Sequence, residues 1–248
     1  PDNPVDIISS TLALNASDMR EYFRIFAFLP PEHSSTLTLY SQLVKVIAYR
    51  FSRSGASTDL SSTWDELRLV ASTARMLAVG DAAAEIASVA ADLRNDAAFP
   101  YRVCGLAILA ATAASLPIHE RKELVSTIMQ MVQSYSFELQ GGEFTVPQRL
   151  GIDLLTTLFT SIPLDSSAVQ DLRAILDGED AFEEFPELQE FLASISGHQP
   201  LPRDFRDHLL RRMNSQEEGD EFFALKAMEV LVNDSVYWSP AERTELKD

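Results

Sequence analysis

Carboxylates are the most numerous of the side chains in this sequence that could bind ligands or take part in catalysis. The 248 residues include 37 Asp and Glu against 20 Lys and Arg, which gives a formal net charge of −17. Much of the surplus lies in two acidic runs of the C-terminal half, over residues 177–190 and 217–221. Clustered carboxylates attract Lys and Arg side chains. The runs therefore predict a partner-binding surface, with candidate residues Glu179, Asp180, Glu183, Glu184, Glu187, Glu217, Glu218, Asp220 and Glu221.

A second interpretation of the acidic runs is open. A charge run is more often a solvated face that keeps a protein soluble. Aromatic residues accompany both runs, and beside carboxylates they can grip a basic amphipathic helix or stack on Arg. At such spacing, however, Phe more often belongs to the core. The aromatic residues concerned are Phe182, Phe185, Phe191, Phe222 and Phe223.

The remaining reactive side chains predict no catalytic, cofactor-binding or metal-ligating residue. Neither an HExxH pattern nor an i,i+4 pair occurs among the four histidines, His33, His119, His198 and His208. The acidic loop at 177–184 lacks the alternating ligands and the sixth-position Gly of a calcium-binding EF-hand. Cys104 lies in an Ala-rich helical stretch without a nearby His, so we expect a buried structural thiol. Among 37 carboxylates, an acid–base pair stays open as an alternative.

Composition excludes several partners and locations. A pI near 4.6 means that phosphate backbones are repelled, so nucleic acid is not an expected partner. No apolar run reaches the roughly 18 residues of a membrane helix, so we expect no membrane insertion. A single cysteine cannot form an internal disulfide, which favours a reducing compartment, cytosol or nucleus. Because the chain begins at Pro1 rather than Met, we expect a fragment of a longer protein.

Two stretches of the chain repeat one pattern at a distance of 46 residues. Residues 105–117 read GLAILAATAASLP, and residues 151–163 read GIDLLTTLFTSIP. Self-similarity at a period of 20 to 50 residues is typical of stacked repeat proteins. Gly inside a helix costs about 1 kcal/mol relative to Ala. Its recurrence therefore predicts that a neighbouring helix passes close to Gly105 and to Gly151.

Pro and Gly residues divide the chain into predicted helix pairs. The turns within the pairs fall at Pro30–Pro31, Gly80–Asp81, Pro117, Pro163, Pro202 and Pro240. The first helices of the pairs are predicted at 17–29, 62–79, 99–116, 147–162, 183–196 and 217–234. The second helices are predicted at 34–53, 81–95, 118–136, 166–177, 203–213 and 240–247, and a further helix at 4–14. Thr63 to Glu66 matches a capping box, and Asp81 is a candidate cap for the helix that follows it.

The predicted fold class is all-α: a superhelical stack of about six antiparallel helix pairs, in one repeat domain over residues 1–248. Residues 105–116 are apolar nearly all round, which predicts a buried helix. The next helix is amphipathic, and its apolar stripe contains Leu124, Ile128, Met131 and Val132.

The C-terminal end of such a stack needs a cap, since a terminal repeat has no further neighbour to cover its apolar face. We expect Trp238 and Tyr237 to cover the end of the core, in which Leu225, Met228 and Leu231 are predicted to lie.

This helix-pair rhythm resembles the HEAT/armadillo family of α-solenoids over most of the chain. The nuclear-import adaptors of that family carry Trp and Asn four residues apart, but here Arg68 follows Trp64 and Glu242 follows Trp238. The import role is therefore not implied. The resemblance implies a non-catalytic scaffold or adaptor that binds proteins. Two alternatives stay open: a helical bacterial effector or regulatory domain that acts on a host protein, and an enzyme with an unrecognised helical site.

Overall fold

The computed structural model describes residues 16–54, 60–133, 146–164, 168, 170, 186–213, 221–241 and 243. Over these residues the protein is all-α, as predicted, and no strand occurs among them. The described α-helices are α1 (Ala16–Ile25), α2 (Ser34–Ser54), α3 (Leu60–Leu77), α4 (Ala82–Arg94), α5 (Phe99–Ala111), α6 (Ile118–Gln133), α7 (Val146–Phe159), α8 (Pro186–Ser196), α9 (Arg203–Met213) and α10 (Glu221–Asp234). None of these helices combines the length and apolarity required to cross a membrane.

The chain divides into two compact units. The N-terminal unit comprises Pro1–Leu124 and the C-terminal unit comprises Val125–Asp248, so the boundary falls within α6. The two units are described separately below.

The bounds of the described helices lie close to the predicted ones. The helix predicted at 4–14 lies outside the described residues, as do most of those predicted at 166–177 and 240–247. Three first helices of pairs end in a 3-10 turn instead of continuing as α-helix, at Phe26–Phe28, Ala113–Ser115 and Ser235–Tyr237. An extended residue follows each turn, and its amide donates a hydrogen bond back to the first carbonyl of that turn; these residues are Leu29, Leu116 and Trp238.

Two predicted helix caps are wrong. Helix α3 begins at Leu60, so Thr63 lies inside the helix and cannot be its N-cap residue. Asp81 precedes α4 with helical backbone angles, and its side chain makes no capping hydrogen bond. Helix α4 nevertheless begins directly after Asp81, whereas α3 begins three residues before Thr63.

In the N-terminal unit, α3 packs between α1 and α5, the first helices of the neighbouring pairs, and α4 packs along α5. The turns of these pairs also meet. Gly80, whose φ of +56° suits glycine, sits against the Glu32 side chain of the preceding turn. The Arg75 guanidinium donates a hydrogen bond of 3.3 Å to the Ala111 carbonyl at the end of α5. Consecutive turns of this unit therefore lie on one edge.

The C-terminal unit shows the same order of contacts. Helix α8 packs between α7 and α10, and α9 packs along α10. Gln199, in the turn after α8, accepts a hydrogen bond from the Leu164 amide and donates one to the Phe159 carbonyl at the end of α7. Side-chain hydrogen bonds thus link the turn after α7 to the turn after α8.

Both repeated glycines lie where another helix passes closely, as the sequence predicted. A Cβ atom at Gly105 would come within 2.5 Å of the Arg94 amide nitrogen and 2.7 Å of the Ala90 carbonyl oxygen, both in α4. A Cβ atom at Gly151 would come within 2.6 Å of a methyl group of Val132 in α6. In each case the neighbour is the second helix of the preceding predicted pair.

Helix burial also follows the sequence pattern. Residues 103–111 of α5 are all buried, which confirms the prediction of a helix covered nearly all round. The buried residues of α6 are Leu124, Ile128, Met129 and Val132, so Met129 rather than the predicted Met131 completes its apolar stripe.

Candidate functional site

The last described helix exposes an apolar stripe on its solvent side. Three of the four side chains that form this α10 stripe, Leu225, Met228 and Val232, are spaced three or four residues apart along one face of α10, and the fourth, Val236, lies in the 3-10 turn that follows. Their exposed fractions are 63%, 46%, 54% and 72%, in the order Leu225, Met228, Val232 and Val236. Exposed apolar side chains that adjoin along one face are typical of surfaces that bind another protein.

The opposite face of α10 fixes the helix to the rest of the C-terminal unit. Ala227, Val230 and Leu231 are buried, and α10 packs there against α8 and α9. The stripe therefore lies on a helix that is held by core contacts, rather than on a separate segment.

A buried carboxylate anchors the end of α10. Asp234 is 0% exposed, accepts a hydrogen bond of 2.6 Å from the Leu201 amide, and accepts another from the Trp238 indole nitrogen. The Arg206 guanidinium lies 3.3 Å from the Asp234 carboxylate and 5.4 Å from the centre of the Trp238 ring. Arg206 also donates to the Leu201 carbonyl at 3.0 Å. The four residues form a closed corner that joins the start of α9 to the turn after α10.

The predicted cover of the C-terminal core is right for two residues and wrong for three. Trp238 is buried, as expected, but Tyr237 is largely exposed. Leu231 belongs to the core, whereas Leu225 and Met228 lie in the exposed stripe. Apolar residues lie on several sides of α10, so the sequence does not indicate which of these sides faces solvent.

Most of the predicted acidic site lies outside the described residues. Glu187 falls in α8 and Glu221 is the first residue of α10. The residues outside the described part of the chain are Glu179, Asp180, Glu183, Glu184, Glu217, Glu218 and Asp220. Along the sequence, the second acidic run leads directly into α10 and ends four residues before Leu225.

A groove of about 440 Å³ with a mixed polar and apolar lining lies between α2 and α4 in the N-terminal unit. Hydroxyl groups, an amide and one charge of each sign line it, and the lining residues include Ser34, Ser41, Gln42, Lys45, Glu85 and Ser88. Such side chains can hydrogen-bond a polar ligand. No residue of either acidic run is among the lining residues of the groove. Cys104, whose thiol is enclosed in the core, does not line it either.

A buried ion pair and thiol occupy the core of the N-terminal unit. The Arg50 guanidinium of α2 lies 2.9 Å from the carboxylate of Glu66 in α3, and Glu66 is 5% exposed. Burial raises the pKa of Glu66 above its ordinary value of 4.5, while Arg50 acts in the opposite direction. Burial, with a smaller effect of the Glu66 carboxylate, raises the pKa of Cys104 to about 12. Cys104 is therefore a neutral, enclosed thiol, which confirms the prediction that it is buried.

The described histidines do not form a catalytic or metal-binding arrangement. The ring nitrogen Nδ1 of His33 accepts a hydrogen bond from the Ser35 amide, and the exposed ring of His119 lies 3.9 Å from Glu120, its neighbour in sequence. Within the part of the chain that the structure describes, no three His, Cys, Asp or Glu side chains come together as metal ligands.

Neither a protein-family model nor a curated protein matches this sequence. Among solved structures, the chain is similar to a crystal structure of an engineered protein from the Northeast Structural Genomics Consortium, with a TM-score of 0.42 and 17% sequence identity. The match covers 95% of this chain and 98% of that chain. A similarity of that size assigns neither a family nor a function to this chain.

Proposed function

We propose that this protein is a non-catalytic protein-binding module of HEAT/armadillo type, whose acidic C-terminal half binds a Lys/Arg-rich segment of a partner. The observation that carries the proposal is the charge of the two units. The C-terminal unit holds 23 acidic and 9 basic residues, net −14, whereas the N-terminal unit holds 14 and 11, net −3. A field of this size on one unit attracts cationic partners and accelerates their association.

The packing of the helices supports a stack of helix pairs. In each unit the first helices of successive pairs are neighbours, and the turns of successive pairs are in contact at one edge. The close approach at Gly105 and at Gly151 involves the same kind of partner, the second helix of the preceding pair. The contacts between successive pairs are those that a nearest-neighbour repeat array requires. In the N-terminal unit, however, α2 of the first pair also packs on α5 of the third pair, a contact that such an array does not require.

Charge reversal tests the proposed binding directly. The full chain is titrated with a fluorescent Lys/Arg-rich peptide at about 0.1 M salt, where the screening length is about 10 Å. We expect the triple change of Glu183, Glu184 and Glu187 to Lys to weaken binding by about tenfold, since each reversal replaces an attraction by a repulsion.

A matched control separates this surface from net charge alone. Glu32, Asp81 and Asp92 are exposed carboxylates of the N-terminal unit, and their change to Lys alters the total charge by the same amount. We expect that control to leave the affinity within about twofold. An equal loss in both triple variants, or no loss in either, would mean that the acidic runs only solubilise the protein.

A further inference from the structure

We propose that the α10 stripe is the docking face for a basic amphipathic helix of a partner protein. This inference rests on the proposed function and specifies its partner: not only a cationic segment, but one that folds as a helix with an apolar face. The stripe consists of Leu225, Met228, Val232 and Val236, all exposed.

The geometry of the stripe fits a helix as its occupant. Leu225, Met228 and Val232 recur at i, i+3 and i+7 over about two turns of α10, and Val236 follows in the 3-10 turn after the helix. A second helix that lies along α10 can insert its own i, i+3 and i+7 side chains between them. The first helices of successive pairs already pack in this way in the C-terminal unit, where α8 contacts both α7 and α10. A docked helix would extend that existing row.

Charge complementarity indicates that the occupant is basic. The stripe belongs to a unit with a net charge of −14. The run Glu217, Glu218, Asp220 and Glu221 immediately precedes the stripe in sequence, and Glu229 is exposed between Met228 and Val232. Two described cations lie near the end of the stripe: Arg206 is paired internally with Asp234, and Arg243 donates a hydrogen bond of 3.2 Å to the Val236 carbonyl. An acidic or neutral helix would gain the apolar contact and lose the electrostatic one.

Two model peptides distinguish a docked helix from simple charge attraction. Both have about 18 residues of Leu and Lys in the same numbers, enough for roughly five helical turns. One peptide places every Leu on one helical face, and the other distributes the same residues all round. We expect the full-length protein to bind the amphipathic peptide about tenfold more tightly than the scrambled one, because only the first can bury an apolar face on the stripe.

Stripe variants locate the contact. The double change Leu225→Ser and Val232→Ser should abolish the preference for the amphipathic peptide, while the weaker affinity for the scrambled peptide stays the same. Exposed apolar residues of the N-terminal unit provide the control, since Val79→Ser with Ile118→Ser removes similar groups elsewhere. The helical circular dichroism of each variant shows that its fold is retained.

The outcomes separate this inference from the proposed function. Equal affinity for both peptides, together with unchanged binding by the stripe variant, would show that the proposed docking face is wrong. The proposed binding of a Lys/Arg-rich segment would be unaffected by that result. If the stripe instead forms a dimer of this chain, which sedimentation detects and the stripe variant dissociates, the inference is likewise overturned. If neither peptide binds at low salt, the proposed function fails, and this inference fails with it.

Discussion

Gly105 of α5 and Arg94 of α4 approach so closely that a Cβ atom at position 105 would lie 2.5 Å from the Arg94 amide nitrogen. The obstacle is main chain, so it cannot be moved by a side-chain rotation. At Gly151 the corresponding obstacle is only a methyl group of Val132, at 2.6 Å. The two repeated glycines therefore serve the same kind of helix contact with different tolerance.

This difference predicts unequal effects of alanine at the two glycines. Gly105→Ala should destabilise the protein by about 3 kcal/mol or more, because α4 and α5 must separate, whereas Gly151→Ala should cost about 1 kcal/mol. Urea unfolding monitored by circular dichroism measures both. The double variant Gly151→Ala with Val132→Ala should relieve the steric conflict at position 151. Equal losses for the two single variants would contradict the proposed distinction between main-chain and side-chain contact.

The Asp234 corner predicts a large effect of a single carboxylate. Asp234→Ala removes the acceptor of the Leu201 amide and of the Trp238 indole nitrogen, and it removes the ion-pair partner of the mostly buried Arg206 guanidinium. Removing one partner of a buried ion pair costs about 3–5 kcal/mol. In a Trp64→Phe background, Trp238 is the remaining tryptophan, so its fluorescence reports unfolding of this corner. Exposed Asp207→Ala is the control and should change stability by no more than about 0.5 kcal/mol.

The sequence predicted the helices and their bounds well because Pro, Gly and apolar periodicity are local signals. It did not predict that Phe26–Phe28 and Ala113–Ser115 would tighten into 3-10 turns, because that choice depends on how the following Pro segment packs. The same limit explains Thr63 to Glu66. The capping-box spacing was present, but Glu66 is buried against Arg50, a residue 16 positions earlier in the chain.

The exposed apolar stripe of α10 was harder to predict than the helices. Leu225, Met228, Val230 and Leu231 are all apolar, so periodicity alone places them on several sides of one helix. Only tertiary contacts show that Val230 and Leu231 face the core while Leu225 and Met228 do not. The sequence contains one further signal. The spacing of Leu225, Met228, Val232 and Val236 predicts a second apolar stripe, in addition to the apolar face that packs in the core.

Glu66 predicts a specific dependence of stability on pH. Its pKa is raised in the folded protein by burial. Between the unfolded value and this raised value, the folded state binds more protons than the unfolded state, so stability falls as pH rises through that window. Relative to Glu66→Gln, which does not titrate, the natural protein should therefore gain stability as pH is lowered from 7 towards 4.5. Chemical denaturation of both proteins at each pH measures the difference, and a difference that does not change with pH would contradict the assignment.

Cys104 predicts a thiol that is inert until the protein unfolds. Its pKa of about 12 and its full burial keep it protonated and inaccessible at neutral and mildly alkaline pH. Alkylation of the native protein should be at least about a thousandfold slower than that of the urea-unfolded chain, since it requires an opening that costs about 5 kcal/mol or more. Raising the pH from 7 to 9 should increase the alkylation rate of the unfolded chain. The native thiol, in contrast, should stay protonated at both pH values. Rapid native labelling would show that α5 is less enclosed than described.

The affinity of the full chain for a Lys/Arg-rich peptide as a function of salt tests the proposed function most directly. Screening lengths fall from about 10 Å at 0.1 M to about 3 Å at 1 M, so attraction by the acidic C-terminal unit must weaken strongly over that range. We predict a loss of affinity of at least about tenfold between the two conditions, and no binding of a peptide in which Glu replaces each Lys and Arg. An affinity that stays constant with salt, or equal binding of the Glu-substituted peptide, would contradict the proposal that this protein recognises basic segments.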